Sequence, residues 1–206
     1  MMIITIVLAA VVFLLRAASL GIFLYLTVSN REYNIIEHAV SDYAVGSAKK
    51  LTTVATWLTA AMWLLLAVLL WHSFSQWDNL TAIIIQLLGL MAVFVALPFF
   101  PTDIEGEQPT VIGRIHLVLA VAWFALAYTC SGLFLPHFDG GLQAALHVIR
   151  VVMAISLTAL CIALIIKPLR RYAFGLSERA FLLSVHIFYL LLPIGLLLIA
   201  GLKPVG

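Results

Sequence analysis

Two short runs of this 206-residue chain are richer in side chains able to do chemistry than a simple connector needs. The first is Glu37-His38-Ala39-Val40-Ser41-Asp42-Tyr43-Ala44-Val45-Gly46. The second is Phe99-Phe100-Pro101-Thr102-Asp103, followed by Thr110, Gly113, Arg114 and His116. Ser41 supplies a hydroxyl, Asp42 and Asp103 supply carboxylates, and His116 supplies an imidazole that can move a proton near neutral pH. These four are the candidate catalytic residues. They are expected to gather in one polar pocket, with a hydrogen bond between His116 and Asp103 fixing the ring tautomer. Residues of these types also cap helices and close turns, so a structural role competes with the chemical one.

A second group is defined by charge in an apolar setting. Arg16 and Arg150 fall inside long apolar stretches, and none of the nine acids is expected deep in a helix. An unpaired guanidinium in hydrocarbon costs at least ~2.5 kcal/mol, and it matches carboxylate or phosphate in two-pronged fashion. His147 lies three residues before Arg150 and so shares its helical face. Arg16, His147 and Arg150 are therefore candidate residues for an anionic ligand, with Arg150 and His147 expected in one cavity. Pairing with loop groups such as Glu32 or Asp42 is the competing reading.

A third group concerns metals. Counted from the expected helix ends, His116 and His186 differ in depth by about 5 Å, which would let them share one ion or one ligand. Neutral imidazoles with a third ligand and a water make a hydrolytic zinc site. The same pair could bracket a haem. Neither zinc nor haem is favoured: the chain has no H-x-x-x-H pair, and His147 has no partner within a helix.

The elements that must hold these residues are six apolar segments, roughly Ile3–Val28, Leu51–Trp71, Leu80–Phe100, Val111–Leu135, Leu142–Ile166 and Arg179–Leu202. Each has about 20 or more mostly apolar residues, enough to cross a ~30 Å hydrocarbon layer. The chain is 65% apolar and 10% charged, far from the roughly 25% charge of a soluble domain. The expected fold is all-α, one bundle of six transmembrane helices over residues 1–206. No connecting stretch is long enough for a second domain. Eight basic residues fall in the loops of one side, namely Arg31, Lys49, Lys50, Arg114, Lys167, Arg170, Arg171 and Arg179; the other side has Lys203 alone. This bias places the richer side in the cytoplasm and both termini outside, in a cell membrane. Cys130 and Cys161 lie near opposite ends of their helices and read as packing residues, not a disulfide. Ser177 is the expected N-cap of the last helix, and His147, Arg150, Ala154, Thr158 and Cys161 form an expected inward stripe on the fifth. Nothing reads as a nucleic-acid module or a phosphate loop.

The S-D-Y-x-x-G element of the first run, with F-P-T-D and G-x-x-H in the second, resembles the family catalogued as domain of unknown function 998, small polytopic membrane proteins. The resemblance covers nearly the whole chain and implies an architecture, not a reaction. A looser likeness is to the membrane hydrolases that include alkaline ceramidases. It would imply a zinc site of Ser, Asp and three His, which Ser41, Asp42, Asp103, His116 and His186 only partly supply. The combined expectation is a membrane protein with lipid partners. It would bind an amphiphile or an anionic group in a polar pocket open to the cytoplasmic side. The alternatives are a metal-dependent lipid hydrolase and a single b-type haem electron carrier.

Overall fold

The computed structural model describes residues 2–104 and 108–202 of the chain. It contains six α-helices: α1 (Met2–Ser29), α2 (Lys49–Ser73), α3 (Leu80–Ala96), α4 (Val111–Phe134), α5 (Gly140–Ile165) and α6 (Arg170–Leu202). There is no strand among the described residues. All six are long and apolar enough to cross a membrane, so this is a multi-pass membrane protein. Every backbone polar group of such a segment is satisfied within its own helix, which makes helices the stable form in lipid. Single turns of 3-10 helix at Leu97–Phe99, Leu135–His137 and Lys167–Leu169 each carry a proline near their start. Proline suits that position because its fixed φ is already helical and its missing N–H was unpaired anyway.

One boundary departs from expectation. The last helix begins at Arg170 and not near Arg179, and runs for 33 residues. At 1.5 Å per residue that is about 50 Å, well beyond the ~30 Å hydrocarbon core. Its first turns therefore stand clear of the apolar layer. Ser177 lies inside this helix and does not cap it. The starting signal is Pro168, which the polar run from Arg170 to Arg179 conceals.

The helices form a ring with one open seam. In order around it, α4 packs on α3, α3 on α2, α2 on α1, α1 on α6, and α6 on α5. Between α5 and α4 contact is slight, although they are neighbours in the chain. The core runs along the closed side: Met62, Trp63 and Leu66 of α2, Leu87 of α3, Ala127 and Phe134 of α4, and Phe181, Phe188 and Tyr189 of α6 are buried. α5 turns Leu146, Met153, Leu160 and Ala163 inward. This corrects the expected inward stripe of α5, because His147, Thr158 and Cys161 are exposed and face away from that core. On α4 the small and polar residues Gly113, His116, Ala127 and Ser131 are buried.

The two ends differ. At one, Thr5 and Ser73 share a hydrogen bond of 2.8 Å, and His137 stacks on Trp77 at 3.6 Å while donating to Asn79 Oδ1 at 2.7 Å. At the other, the loop after α1, the loop before α4 and the turn before α6 meet around one cavity. The side with eight basic residues is this one; Lys203, expected at the opposite end, lies outside the described residues.

Candidate functional site at the open seam

The loop after α1 is held in place by α6. Arg179 is buried, and its Nη1 donates to the carbonyls of Ile35 (2.9 Å), His38 (2.7 Å) and Gly175 (3.1 Å). Its Nη2 donates to Tyr43 Oη at 2.9 Å. Next to it, Glu178 accepts from the Val40 N–H at 2.6 Å, and the Gly175 N–H donates to the Ile36 carbonyl at 2.9 Å. Gly175 allows this approach, since a Cβ there would collide with the His38 carbonyl oxygen. The tyrosine of S-D-Y-x-x-G is thus a partner of the Arg179 clamp. Its aspartate, Asp42, is buried and accepts from His38 Nδ1 at 3.1 Å. Gly46 serves close approach, for a Cβ would sit 2.7 Å from Tyr33 Oη and 2.8 Å from Glu32 Oε2.

The second run closes onto the start of α4. Thr110 caps the helix, its Oγ1 accepting from the Gly113 N–H at 3.0 Å. Asp103 accepts from the Thr110 N–H at 2.8 Å and from its hydroxyl at 2.7 Å. These bonds hold the Asp103 carboxyl below its ordinary pKa. Asp103 rests on Gly113, where a Cβ would collide with the carboxylate. His116 Nδ1 donates at 2.7 Å to the Phe100 carbonyl. The expected His116–Asp103 hydrogen bond is therefore replaced: the carboxylate is spent on Thr110, and the ring closes the loop through a backbone oxygen. Since a carbonyl only accepts, Nδ1 carries the proton and Nε2 of the neutral ring is left as an acceptor.

Ser41, Asp42, Asp103 and His116 all line one cavity of about 630 Å³. It occupies the basic-end half of the seam. Its walls are apolar: Leu117, Val121 and Phe124 of α4, Leu157, Leu160 and Leu164 of α5, and Phe174 of α6. Arg114, Lys167 and Arg170 stand around its polar end. A second cavity of about 130 Å³ adjoins it, with Thr52, Thr53 and Thr56 of α2 among its lining. Ser41, His116, Ala120 and Glu178 line both and form the partition between them.

The remaining expected residues go elsewhere. His186 does not join His116. It lies eight residues beyond Glu178, about 12 Å further along the helix. There it stacks on Phe23 with ring centres 5.5 Å apart, and its Nδ1 faces Arg16 Nη1 at 3.4 Å. A cationic neighbour is a poor setting for a bound cation. Among the described residues no three His, Cys, Asp or Glu side chains converge as a metal site requires. His186 thus packs with Arg16 and Phe23, while His116 bonds to the Phe100 carbonyl. Arg16 is buried, its guanidinium 4.8 Å from the Trp63 ring centre and 5.6 Å from that of Tyr189. Arg150 crosses the seam: its Nε donates to Ser131 Oγ at 2.9 Å, and its guanidinium lies 4.8 Å from the Tyr128 ring centre. His147 is exposed on α5, three residues before Arg150, and lines neither of the two cavities described above.

Sequence reasoning missed Glu178 and Arg179 as buried residues. The signal available was their adjacency: two opposite charges at the edge of a long apolar run, on a helix that Pro168 had already begun.

No curated protein and no solved structure matches this chain. A family model does, over residues 3–195, nearly the whole chain and at least part of every helix described above. The two runs that build the seam cavity lie inside that match, and the chain belongs to the family described as Protein of unknown function (DUF998).

Proposed function

We propose that this protein binds a membrane amphiphile with an anionic headgroup in the seam between α4 and α5. The observation that carries the reading is the cavity's division of labour. Its apolar walls face a gap in the helix ring, and three cationic side chains, Arg114, Lys167 and Arg170, stand at its polar end. An acyl chain can reach such walls laterally from the bilayer without crossing water, while the cations meet a phosphate or carboxylate at headgroup level. A volume of about 630 Å³ suits a sizeable organic ligand. By the basic bias of its loops, this end faces the cytoplasm of a cell membrane.

Cys161 gives a built-in probe. It is exposed and lines the cavity, whereas Cys130 is buried in the core. Maleimide labelling of detergent-purified protein should modify Cys161 selectively. A short-chain phosphatidylglycerol should slow that reaction in the wild type, and much less when Arg114, Lys167 and Arg170 are all changed to Gln. Equal labelling rates with and without the lipid would refute the reading.

A further inference from the structure

We infer that the headgroup the seam selects carries a primary ammonium as well as a phosphate. This rests on the amphiphile reading above and names the ligand class. Arg114, Lys167 and Arg170 supply the cationic part of the cavity, but the partition beside them is built from acceptors. Glu178 is a carboxyl only 7% exposed, in a cavity wall, where burial disfavours its charged form unless a cation stands beside it. One of its oxygens takes the Val40 N–H at 2.6 Å, and the other receives no hydrogen bond from the described residues. His116 has committed Nδ1 to Phe100, which leaves Nε2 with a lone pair and no proton. The Ser41 hydroxyl makes no hydrogen bond to any described residue and lines the same two cavities.

The other two carboxylates are already engaged, Asp42 by His38 and Asp103 by Thr110. Three acceptors on one partition therefore remain: a carboxylate oxygen, an imidazole nitrogen and a hydroxyl. Three acceptors match the three N–H donors of a primary ammonium, and a quaternary ammonium has none to give. With cations in the same cavity for the phosphate, the complementary ligand is an aminoalkyl phosphodiester on an acyl-chain anchor.

The test measures protection of Cys161 from maleimide by four short-chain probes. These are a phosphatidylethanolamine, the matching phosphatidylcholine, the matching phosphatidic acid, and soluble phosphoethanolamine without acyl chains. The ethanolamine lipid should protect the wild type at about tenfold lower concentration than the choline lipid, as expected for one charge-assisted hydrogen bond. Glu178→Gln keeps an acceptor for the Val40 N–H and should erase that difference while leaving protection by phosphatidic acid no weaker. Ser41→Ala should narrow it. Equal protection of the wild type by the ethanolamine and choline lipids would overturn the ammonium assignment and leave the amphiphile reading standing. A preference unchanged in Glu178→Gln would do the same. Protection by soluble phosphoethanolamine at the concentration of its lipid would overturn the need for an acyl chain. Protection by none of the four would overturn both proposals.

Discussion

Replacing Arg179 by Met should undock the whole loop between α1 and α2 while leaving the six helices in place. Met keeps an apolar stem of similar reach and removes every donor. Four hydrogen bonds are lost, to the carbonyls of Ile35, His38 and Gly175 and to the hydroxyl of Tyr43. A hydrogen bond from a charged donor is worth roughly 1.5–3 kcal/mol net. The four share one guanidinium, and the freed loop carbonyls can turn to water, so the sum is well below four times that figure; about 3 kcal/mol is a fair expectation. At 1.4 kcal/mol per decade this opens the loop roughly 100-fold more often. Amide hydrogen exchange in micelles reads it directly. The N–H groups of Val40, Val45 and Gly46, all hydrogen-bonded in the closed loop, should exchange about 100-fold faster, while the middle of α2 is unchanged. Arg179→Lys should fall in between, since an ammonium cannot span the same fork of acceptors. Unaltered exchange at these three amides in Arg179→Met would refute the clamp.

Gly175→Ala should mimic that loss by sterics alone: helix propensity favours the alanine by about 1 kcal/mol, but its Cβ would collide with the His38 carbonyl, so faster exchange at Val40 and a lower melting temperature are expected. The bond from the Thr110 amide to Asp103 should respond to acid with a definite sign. The folded-state pKa of Asp103 is depressed, so its contribution is complete above the ordinary value of 3.8 and is lost only as pH falls through the lowered one. Protection of the Thr110 amide should hold from pH 7 down to about 4 and fail only as pH drops below the ordinary 3.8; loss already at pH 5 would contradict it. Arg16→Met should leave the melting temperature unchanged or raise it, because it removes a buried charge that has no carboxylate partner; a drop of more than about 5 °C would mean the guanidinium has a stabilising partner not accounted for.

The fold was legible because hydrophobic length is an unambiguous signal. Each apolar segment became a helix, and both polar runs arrived at one cavity. The roles within the runs were harder to read, since the partners are distant in sequence. Asp103 and His116 are 13 residues apart and lie near each other, yet each bonds something else, Thr110 and the Phe100 carbonyl. Backbone acceptors leave no trace in residue identity, so a histidine held by a carbonyl looks the same in sequence as one held by a carboxylate. The α5 stripe misled for another reason. Polar and small residues at helical spacing mark a face that avoids lipid or lines a gap, and here the gap is the open seam and not the core. Arg179 was counted among topology-setting charges because apolar content falls away before it. The helix continues there on contacts supplied by a loop some 140 residues earlier, as the separation of Arg179 from His38 (141 residues) shows.

Three arginines show how differently this bundle accommodates a fixed cation, and the comparison bears on where a ligand would sit. Arg179 is satisfied by carbonyls and a phenol. Arg16 leans on two aromatic faces, which at about 2 kcal/mol each when desolvated can offset a burial cost of ~2.5 kcal/mol or more. Arg150 ties α4 to α5 across the seam through Ser131 and Tyr128. Arg179 and Arg150 hydrogen-bond to protein groups, whereas Arg16 keeps Nε and Nη2 buried without a hydrogen-bond partner. Arg114 and Lys167 differ: both are exposed, both line the cavity, and neither has a carboxylate within ion-pair distance among the described residues. The attraction for an anion is therefore concentrated at the mouth of the seam, and Arg150 sets how far along it the two helices can part. A ligand that enters must place its charge at the mouth and its apolar part between α4 and α5, which is the order a lipid presents when it approaches from the leaflet.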